Sequence, residues 1–115
     1  MSKITRTVWG RQMAFCFRCG YSTFHWPTDR LETHEICGGV NRQKALKEPA
    51  CWIRLCPDCH REVQGWSKEK QYALKMKFDE ECANVDAFLA IWRPKATAQF
   101  RAEFAAVVGA IKEKI

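Results

Sequence analysis

The sequence predicts an α+β fold, in which a small unit of two strands and a helix precedes a helical C-terminal region. Two Cys-x-x-Cys pairs bracket most of residues 16–65, and short extended runs lie between them. Residues 66–115 instead repeat apolar side chains at helical spacing. The length of 115 residues suits one domain with such an extension. We therefore expect a basic N-terminal arm over 1–15, a metal-stabilised domain over 16–65 and a helical extension over 66–115 packed on it.

The two Cys-x-x-Cys pairs predict a structural zinc site. Each turn lets two sulfurs reach one ion, so Cys16, Cys19, Cys56 and Cys59 together complete a tetrahedral sulfur shell. Gly20 follows the first pair and can adopt the positive φ that this turn needs. Disulfides are one alternative, but the chain shows no signal peptide and we expect a cytosolic protein, in which they are rare. A thioredoxin-like redox pair is the other, and its βαβ context is absent from the pattern.

The charge of the chain points to a polyanionic partner. The formal net charge is +6, and most of the excess lies in residues 1–65. A basic surface beside a metal site favours nucleic acid, although a positive face is also common without such a partner. No apolar run approaches the ~20 residues that span a bilayer, so we expect no membrane association.

Two strands and a helix are predicted around the second cysteine pair. Residues 31–36 read as a strand, and because alternate side chains face opposite sides of a strand, His34 and Glu35 point apart. Residues 51–55 form a short apolar run that is typical of a buried strand. A helix is expected after Cys59.

The remaining segments of residues 1–65 are assigned structural roles and no catalytic role. Residues 1–15 have mixed polarity and are expected to form a flexible arm or a short strand. Residues 41–47 contain helix formers, and this helix ends before Pro49 because the residue before proline avoids the helical region. His25 has no partner in the sequence, Trp26 beside it lies in a loop, and neither is assigned a role. Three cysteines that are not spaced as a further pair are interpreted as buried small residues: Cys37, Cys51 and Cys82.

Residues 66–115 predict three helices. Ser67 can cap a helix that runs through Phe78. A second stripe of apolar residues ends before Pro94, and Thr97 can cap the last helix. The stripes are interpreted as core packing, and their members are Val85, Phe88, Leu89 and Trp92 in one helix and Phe100, Phe104, Val107, Val108 and Ile111 in the other.

Three stretches of the chain resemble the HNH nucleases. Residues 16–20 (Cys-Phe-Arg-Cys-Gly) look like the zinc knuckle of many members. Residues 31–36 (Leu-Glu-Thr-His-Glu-Ile) look like the catalytic strand, commonly Leu-Glu-x-His-His-Ile. Residues 55–60 (Leu-Cys-Pro-Asp-Cys-His) look like the Leu-Cys-x-x-Cys-His that closes the motif. The resemblance covers residues 16–65, and the sequence after His34 is similar to small phage-encoded HNH proteins.

The resemblance implies a ββα-metal, treble-clef-like zinc domain that hydrolyses DNA phosphodiester bonds as a metal-dependent endonuclease or nickase. By position, His34 and His60 would bind a catalytic divalent ion, which is Mg²⁺, Mn²⁺, Ni²⁺ or Zn²⁺. Glu35 would take the slot of the general base. DNA phosphates would be held by basic residues, for which the candidates are Arg42, Lys44 and Arg54. The expected setting is the cytoplasm of a phage-infected or prophage-carrying bacterial cell, with a phage or host protein as a further partner for the C-terminal helices.

Two departures from the family pattern keep a second hypothesis open. Glu35 replaces the second histidine of the pair, and a carboxylate is a weaker base than imidazole. Cys51 stands where the family has the asparagine of its name. His34 and His60 could instead be structural histidines, although the motif favours the ligand interpretation. The alternative is therefore a non-catalytic zinc-binding module that interacts with nucleic acid or protein through an HNH site that has decayed, and a structural role in a phage particle is a third possibility.

Overall fold

The computed structural model describes residues 3–22 and 30–115 and has the α+β architecture predicted from the sequence. Strands β1 (Glu32–Glu35) and β2 (Trp52–Leu55) pair antiparallel, with His34 opposite Ile53. The helices are α1 (Arg6–Gln12), α2 (Arg42–Ala45), α3 (Pro57–Val63), α4 (Lys68–Phe78), α5 (Val85–Trp92) and α6 (Ala98–Lys114). Short 3-10 turns precede α2 and β2 at Gly39–Asn41 and Pro49–Cys51.

The first cysteine turn is attached directly to the sheet. A β-bridge between Phe15 and Ser22 closes the turn at its base. The backbone N–H of Phe17 then donates to the carbonyl of Arg54 in β2, at 2.8 Å. All four residues of β2 are buried, so this strand connects the first cysteine turn to the second, which follows it without a gap.

Residues 1–15 were expected to form a flexible arm or a short strand, and this prediction is wrong for Arg6–Gln12, which form helix α1. Thr5 caps this helix, since its hydroxyl accepts from the N–H of Val8. Seven residues that include a glycine and two β-branched residues have little helical stability of their own. Burial supplies the rest, because the Trp9 side chain is fully buried and its Nε1 donates to Asp79 at 2.8 Å. The tertiary contact was not visible in the local sequence pattern.

Two of the three C-terminal helices begin at the predicted caps. The Ser67 hydroxyl accepts from Lys70 N–H at the start of α4, and the Thr97 hydroxyl accepts from Phe100 N–H at the start of α6. Aromatic rings from all three helices pack together, namely Tyr72, Phe88, Trp92, Phe100 and Phe104. Val107, expected in the core, is 46% exposed, because the buried face of α6 is carried by Phe104 and Val108.

Helix α4 joins the two halves of the molecule. It packs against both α6 and β2, and it holds a buried ion pair between Lys75 and Asp79 at 2.5 Å. The Lys75 ammonium also lies 4.8 Å from the centre of the Trp9 ring. One continuous core therefore runs from α1 through the sheet to α6.

The three remaining cysteines behave differently from one another. Cys37 and Cys51 are buried as predicted, and their sulfurs lie 3.4 Å apart beside the β1–β2 pair, although their spacing in the sequence did not suggest a pair. Cys82 is only partly buried. His25 and Trp26 fall outside the described residues. None of the helices in residues 3–22 and 30–115 combines the length and apolar character that a bilayer crossing requires.

Candidate metal centres

The four predicted zinc ligands form one cluster. The sulfur atoms of Cys16, Cys19, Cys56 and Cys59 all lie within 4.8 Å of one another. Cys19 and Cys56, from different pairs, have their sulfurs 3.8 Å apart. A tetrahedral site with Zn–S bonds of about 2.3 Å requires sulfurs roughly 3.8 Å apart. The cluster is therefore able to hold a structural metal, and its four sulfurs are the donor set that zinc prefers.

The backbone of the first turn favours thiolate at Cys16. Gly20 has φ of +80°, and its N–H donates to the carbonyl of Cys16 at 2.9 Å. Burial raises the pKa of the Cys16 thiol, but N–H groups, including that of Cys19, outweigh burial and lower this pKa below its usual value. In the second pair, Cys56 caps α3 and Cys59 lies in its first turn. Burial raises the pKa of Cys59, while the Arg18 guanidinium, 3.5 Å from its sulfur, opposes that rise.

The two predicted catalytic histidines are in contact. His34 lies on β1 and His60 on α3, and the His34 Nδ1 is 3.1 Å from the His60 Nε2. The two rings are inclined at 66° to each other. Each ring keeps its second nitrogen for another partner, and these partners decide which nitrogen of each neutral ring carries the proton.

The outer nitrogen of His34 is bound by α4. The His34 Nε2 lies 2.7 Å from the Gln71 Oε1. The orientation of this amide is fixed, because the Gln71 Nε2 donates to the carbonyl of Trp66 at 2.9 Å. A carbonyl oxygen only accepts, so the His34 Nε2 must carry the proton and Nδ1 is left with a lone pair.

The outer nitrogen of His60 is bound by a carboxylate. The His60 Nδ1 lies 2.9 Å from the Glu32 Oε1, so the proton of the neutral ring is on Nδ1 and the lone pair is on Nε2. Carboxylate and carbonyl partners of this kind are the usual outer groups of histidines that bind metals.

With these neutral tautomers two lone pairs face each other across 3.1 Å, and either a proton shared by the rings or a metal ion bound by both nitrogens would relieve their repulsion. Burial lowers the pKa of His34, against the hydrogen bond to Gln71, and this disfavours a proton on the ring. Two imidazole nitrogens bound tetrahedrally at about 2.05 Å would be roughly 3.3 Å apart, close to the distance here. Within the described residues, the four cysteines are the only group of three or more metal-binding side chains. The histidine pair is separate from this cluster, and a metal ion held by the two rings alone would keep open coordination positions.

Glu35 lies on the opposite face of β1, as the strand alternation predicts. Its carboxylate is 3.4 Å from Arg6 and 3.9 Å from Arg42. The side chain is only 10% exposed. The carboxylate is therefore held by two guanidinium groups rather than by His34, and its role as general base stays a prediction.

The three predicted DNA-binding residues differ in exposure. Arg42 and Lys44 are exposed. Arg54 is 9% exposed, and its guanidinium donates to the Thr33 hydroxyl at 2.9 Å. Arg54 lines a cavity between α1 and the sheet, whereas the other two lie on the open surface.

Two residues of the histidine site were missed by sequence reasoning. Glu32 shares a strand face with His34, and that alternation could have pointed to it. Gln71 had a subtler signal, because it shares a helical face with Leu74 and is a fully buried polar residue on an apolar stripe. Only the fold brings α4 to the outer side of His34.

Comparisons with known proteins do not assign the chain to a family. No protein-family model matches it, and neither the characterised proteins nor the solved structures that were searched gave a significant match. The functional conclusion therefore depends on the geometry of the site.

Proposed function

We propose that the protein is a metal-dependent DNA endonuclease or nickase, which hydrolyses phosphodiester bonds at an HNH-like site built on His34 and His60. The proposal depends on one observation, the facing lone pairs whose positions are fixed from outside by Gln71 and Glu32. A closed structural zinc site uses all its coordination positions, whereas a two-histidine site leaves positions open for water and a phosphate oxygen. The histidine site therefore suits catalysis rather than a structural role.

The order of the elements supports the same proposal. A cysteine turn, two antiparallel strands and a helix that opens on the second cysteine pair follow the ββα-metal, treble-clef-like plan implied by the sequence resemblance. Fold likeness alone does not assign an activity. The juxtaposition of one strand histidine with one helix histidine is the part of that plan that bears on catalysis.

The residues of the site have separate tasks in this proposal. A divalent ion would polarise a phosphate oxygen and stabilise the leaving oxygen. His34 and His60 would hold it through neutral nitrogens, which favour Mn²⁺, Ni²⁺ or Zn²⁺ over Mg²⁺. Glu35 is the proposed base or water-orienting carboxylate. Arg6 and Arg42 hold this carboxylate on the face of β1 away from the histidines, so it would reach the attacking water only after release from them, and we expect a slow reaction.

The proposed macromolecular partner is DNA, and the exposed Arg42 and Lys44 are the proposed surface contacts on the side of α2. Their charges would contact backbone phosphates and carry no sequence preference themselves. A phage or bacterial cytoplasmic setting, with a phage or host protein on the C-terminal helices, belongs to the same proposal.

The test is nicking of supercoiled plasmid by zinc-loaded protein with Mg²⁺, Mn²⁺, Ni²⁺ or no added metal. We expect cleavage only with added metal, and its loss in the His34→Ala/His60→Ala double variant. Zinc content and circular dichroism of the variant should match those of the wild type, because neither histidine belongs to the cysteine cluster. Metal-independent cleavage, or equal cleavage by the folded double variant, would contradict the proposal.

The role of Glu35 needs its own variant. Glu35→Gln keeps the shape of the side chain and removes its charge, so we expect a fall in the cleavage rate of about 10²-fold or more if the carboxylate takes the proton of the attacking water. Cleavage near the wild-type rate would remove Glu35 from the mechanism while leaving the metal site in place.

A second candidate function follows from the position of Glu35. Its carboxylate forms ion pairs with two arginines on the face of β1 away from the histidines. A site that has lost its general base would look like this. The protein would then be a zinc-binding module that binds nucleic acid without cutting it. DNA binding without cleavage in any of the metals would favour this candidate.

A further inference from the structure

A cavity with basic walls lies between α1 and the sheet, on the face of β1 opposite the histidines. It has a volume of about 250 Å³ and is lined by Arg6, Thr7, Gly10, Arg11, Thr33 and Arg54. Three guanidinium groups and two threonine side chains thus surround one space. Of these six residues only Arg54 was a predicted DNA contact, and the sequence did not predict the cavity because residues 1–15 were expected to be a flexible arm or a short strand.

The α1 arginines have hydrogen-bonding capacity left over. Arg6 uses one terminal nitrogen for the carbonyl of Thr33 at 2.9 Å and for the carboxylate of Glu35 at 3.4 Å. Its buried Nε has no hydrogen-bond partner. Arg11 is exposed and forms no ion pair with the described residues. Arg11 lines the cavity and is open to an anion there, and the fork of a guanidinium group matches the oxygens of a phosphate.

The glycine of α1 keeps this cavity open. A Cβ on Gly10 would lie 3.3 Å from a terminal nitrogen of Arg54 and 3.6 Å from the Thr33 hydroxyl. Glycine is unfavourable in the interior of a helix relative to alanine. At this position it leaves free the space that an alanine Cβ would occupy. The position of α1 is itself fixed, because neighbouring Trp9 is anchored in the core by its bond to Asp79.

We propose that this cavity is a subsite for a backbone phosphate of DNA, held by the Arg6 and Arg11 guanidinium groups with Arg54 behind them. The subsite rests on the proposed function for the identity of its ligand. Thr33 and His34 are consecutive residues of β1 whose side chains face opposite ways, so the cavity and the histidines lie on opposite faces of this strand. A phosphate in the cavity would therefore be a different one from a phosphate bound at the histidines.

The first test measures DNA binding without cleavage. The His34→Ala protein is the background, and its affinity for a fluorescein-labelled DNA duplex is measured by anisotropy at several NaCl concentrations. Arg11→Ala should weaken binding about tenfold and lower the slope of log affinity against log salt by about 0.9, the value for one lost phosphate contact. Lys114→Ala, at the exposed end of α6, removes the same charge far along the chain and should change neither quantity.

A second pair of variants tests the cavity without changing the charge. Gly10→Ala narrows the space beside Arg54 and should lower the salt slope as Arg11→Ala does. Gly109→Ala is the matched control, because it also adds a methyl group inside a helix but meets no atom within 4 Å. Both variants are checked by circular dichroism and zinc content, so that loss of fold is recognised.

The outcomes separate this subsite from the nuclease proposal. Unchanged affinity and salt slope in folded Arg11→Ala and Gly10→Ala would overturn the subsite, even if the wild type cuts plasmid. Loss of binding in these variants, with no cleavage by the wild type in any metal, would keep the subsite and remove the nuclease activity. Failure of the background protein to bind DNA at low salt would overturn the subsite as well.

Discussion

The four-cysteine cluster and the two-histidine pair are built in opposite ways. Each half of the cysteine cluster comes from one local turn, and its four sulfurs lie together within 4.8 Å. The histidine pair joins β1 to α3, and its geometry depends on outer partners from β1 and α4. The four sulfurs could complete the shell of a structural metal by themselves, whereas two imidazole nitrogens could not. The protonation of the histidine pair depends on partners that only the folded chain brings together.

One of the C-terminal helices, α4, is therefore part of the candidate site. Gln71 lies outside the stretch that resembles the HNH nucleases, yet it decides which nitrogen of His34 keeps a lone pair. The same helix carries Asp79, which binds Trp9 of α1. Helix α4 therefore supports both faces of β1, the histidine face through Gln71 and the arginine face through α1.

The largest expected effect is the loss of the cysteine cluster. Structural zinc in small domains contributes about 10–16 kcal/mol of apparent binding free energy, so Cys56→Ser should lose zinc and unfold the sheet and α3. Metal analysis and circular dichroism measure both results. Cys82→Ser is the control, since Cys82 is outside the cluster, and it should retain one zinc per chain. A folded, zinc-free Cys56→Ser protein would show that packing alone maintains this half of the molecule.

The cysteine cluster could be predicted from the sequence because its information is local. A Cys-x-x-Cys turn brings its own two sulfurs together, and Gly20 supplies the positive φ within the same few residues. The histidine contact was expected only from the family resemblance. Its outer partner Gln71 could not be predicted, because no local rule states which face of β1 a helix more than thirty residues away will cover. The same holds for α1, which is stabilised by a contact between Trp9 and Asp79.

The second effect concerns the support of α1 by α4. Asp79→Ala would leave the Lys75 ammonium buried without its carboxylate, and we expect a loss of about 3–5 kcal/mol in the free energy of unfolding. Urea denaturation of the zinc-loaded protein measures it. Asp86→Ala removes a carboxylate from an exposed ion pair with Arg101 and should cost less than about 1 kcal/mol. Similar losses in the two variants would mean that the buried pair contributes no more than a surface pair.

The third effect separates the histidine pair from the cysteine cluster. Gln71→Leu removes the acceptor that keeps the proton of His34 on Nε2, so the affinity of the zinc-loaded protein for added Ni²⁺ should fall about 10–100-fold. Isothermal titration calorimetry measures this affinity, and the zinc content should not change. Gln99→Leu on the exposed side of α6 is the matched control. Parallel losses of zinc and Ni²⁺ affinity would mean that the variant disturbs the fold rather than the tautomer.

The smallest effect is expected at the outer partner of His60. Glu32 is 49% exposed, so in Glu32→Leu water can replace the carboxylate as acceptor for the His60 Nδ1 proton. We therefore expect a loss of Ni²⁺ affinity of less than about tenfold, smaller than for Gln71→Leu, whose site is fully buried. Glu62→Leu makes the same change on α3 at a similar exposure, next to Arg18 instead of His60, and should leave Ni²⁺ affinity unchanged. If Glu32→Leu lowered Ni²⁺ affinity more than Gln71→Leu, the charge of the carboxylate would dominate metal binding at the histidine pair, and not the fixed tautomer.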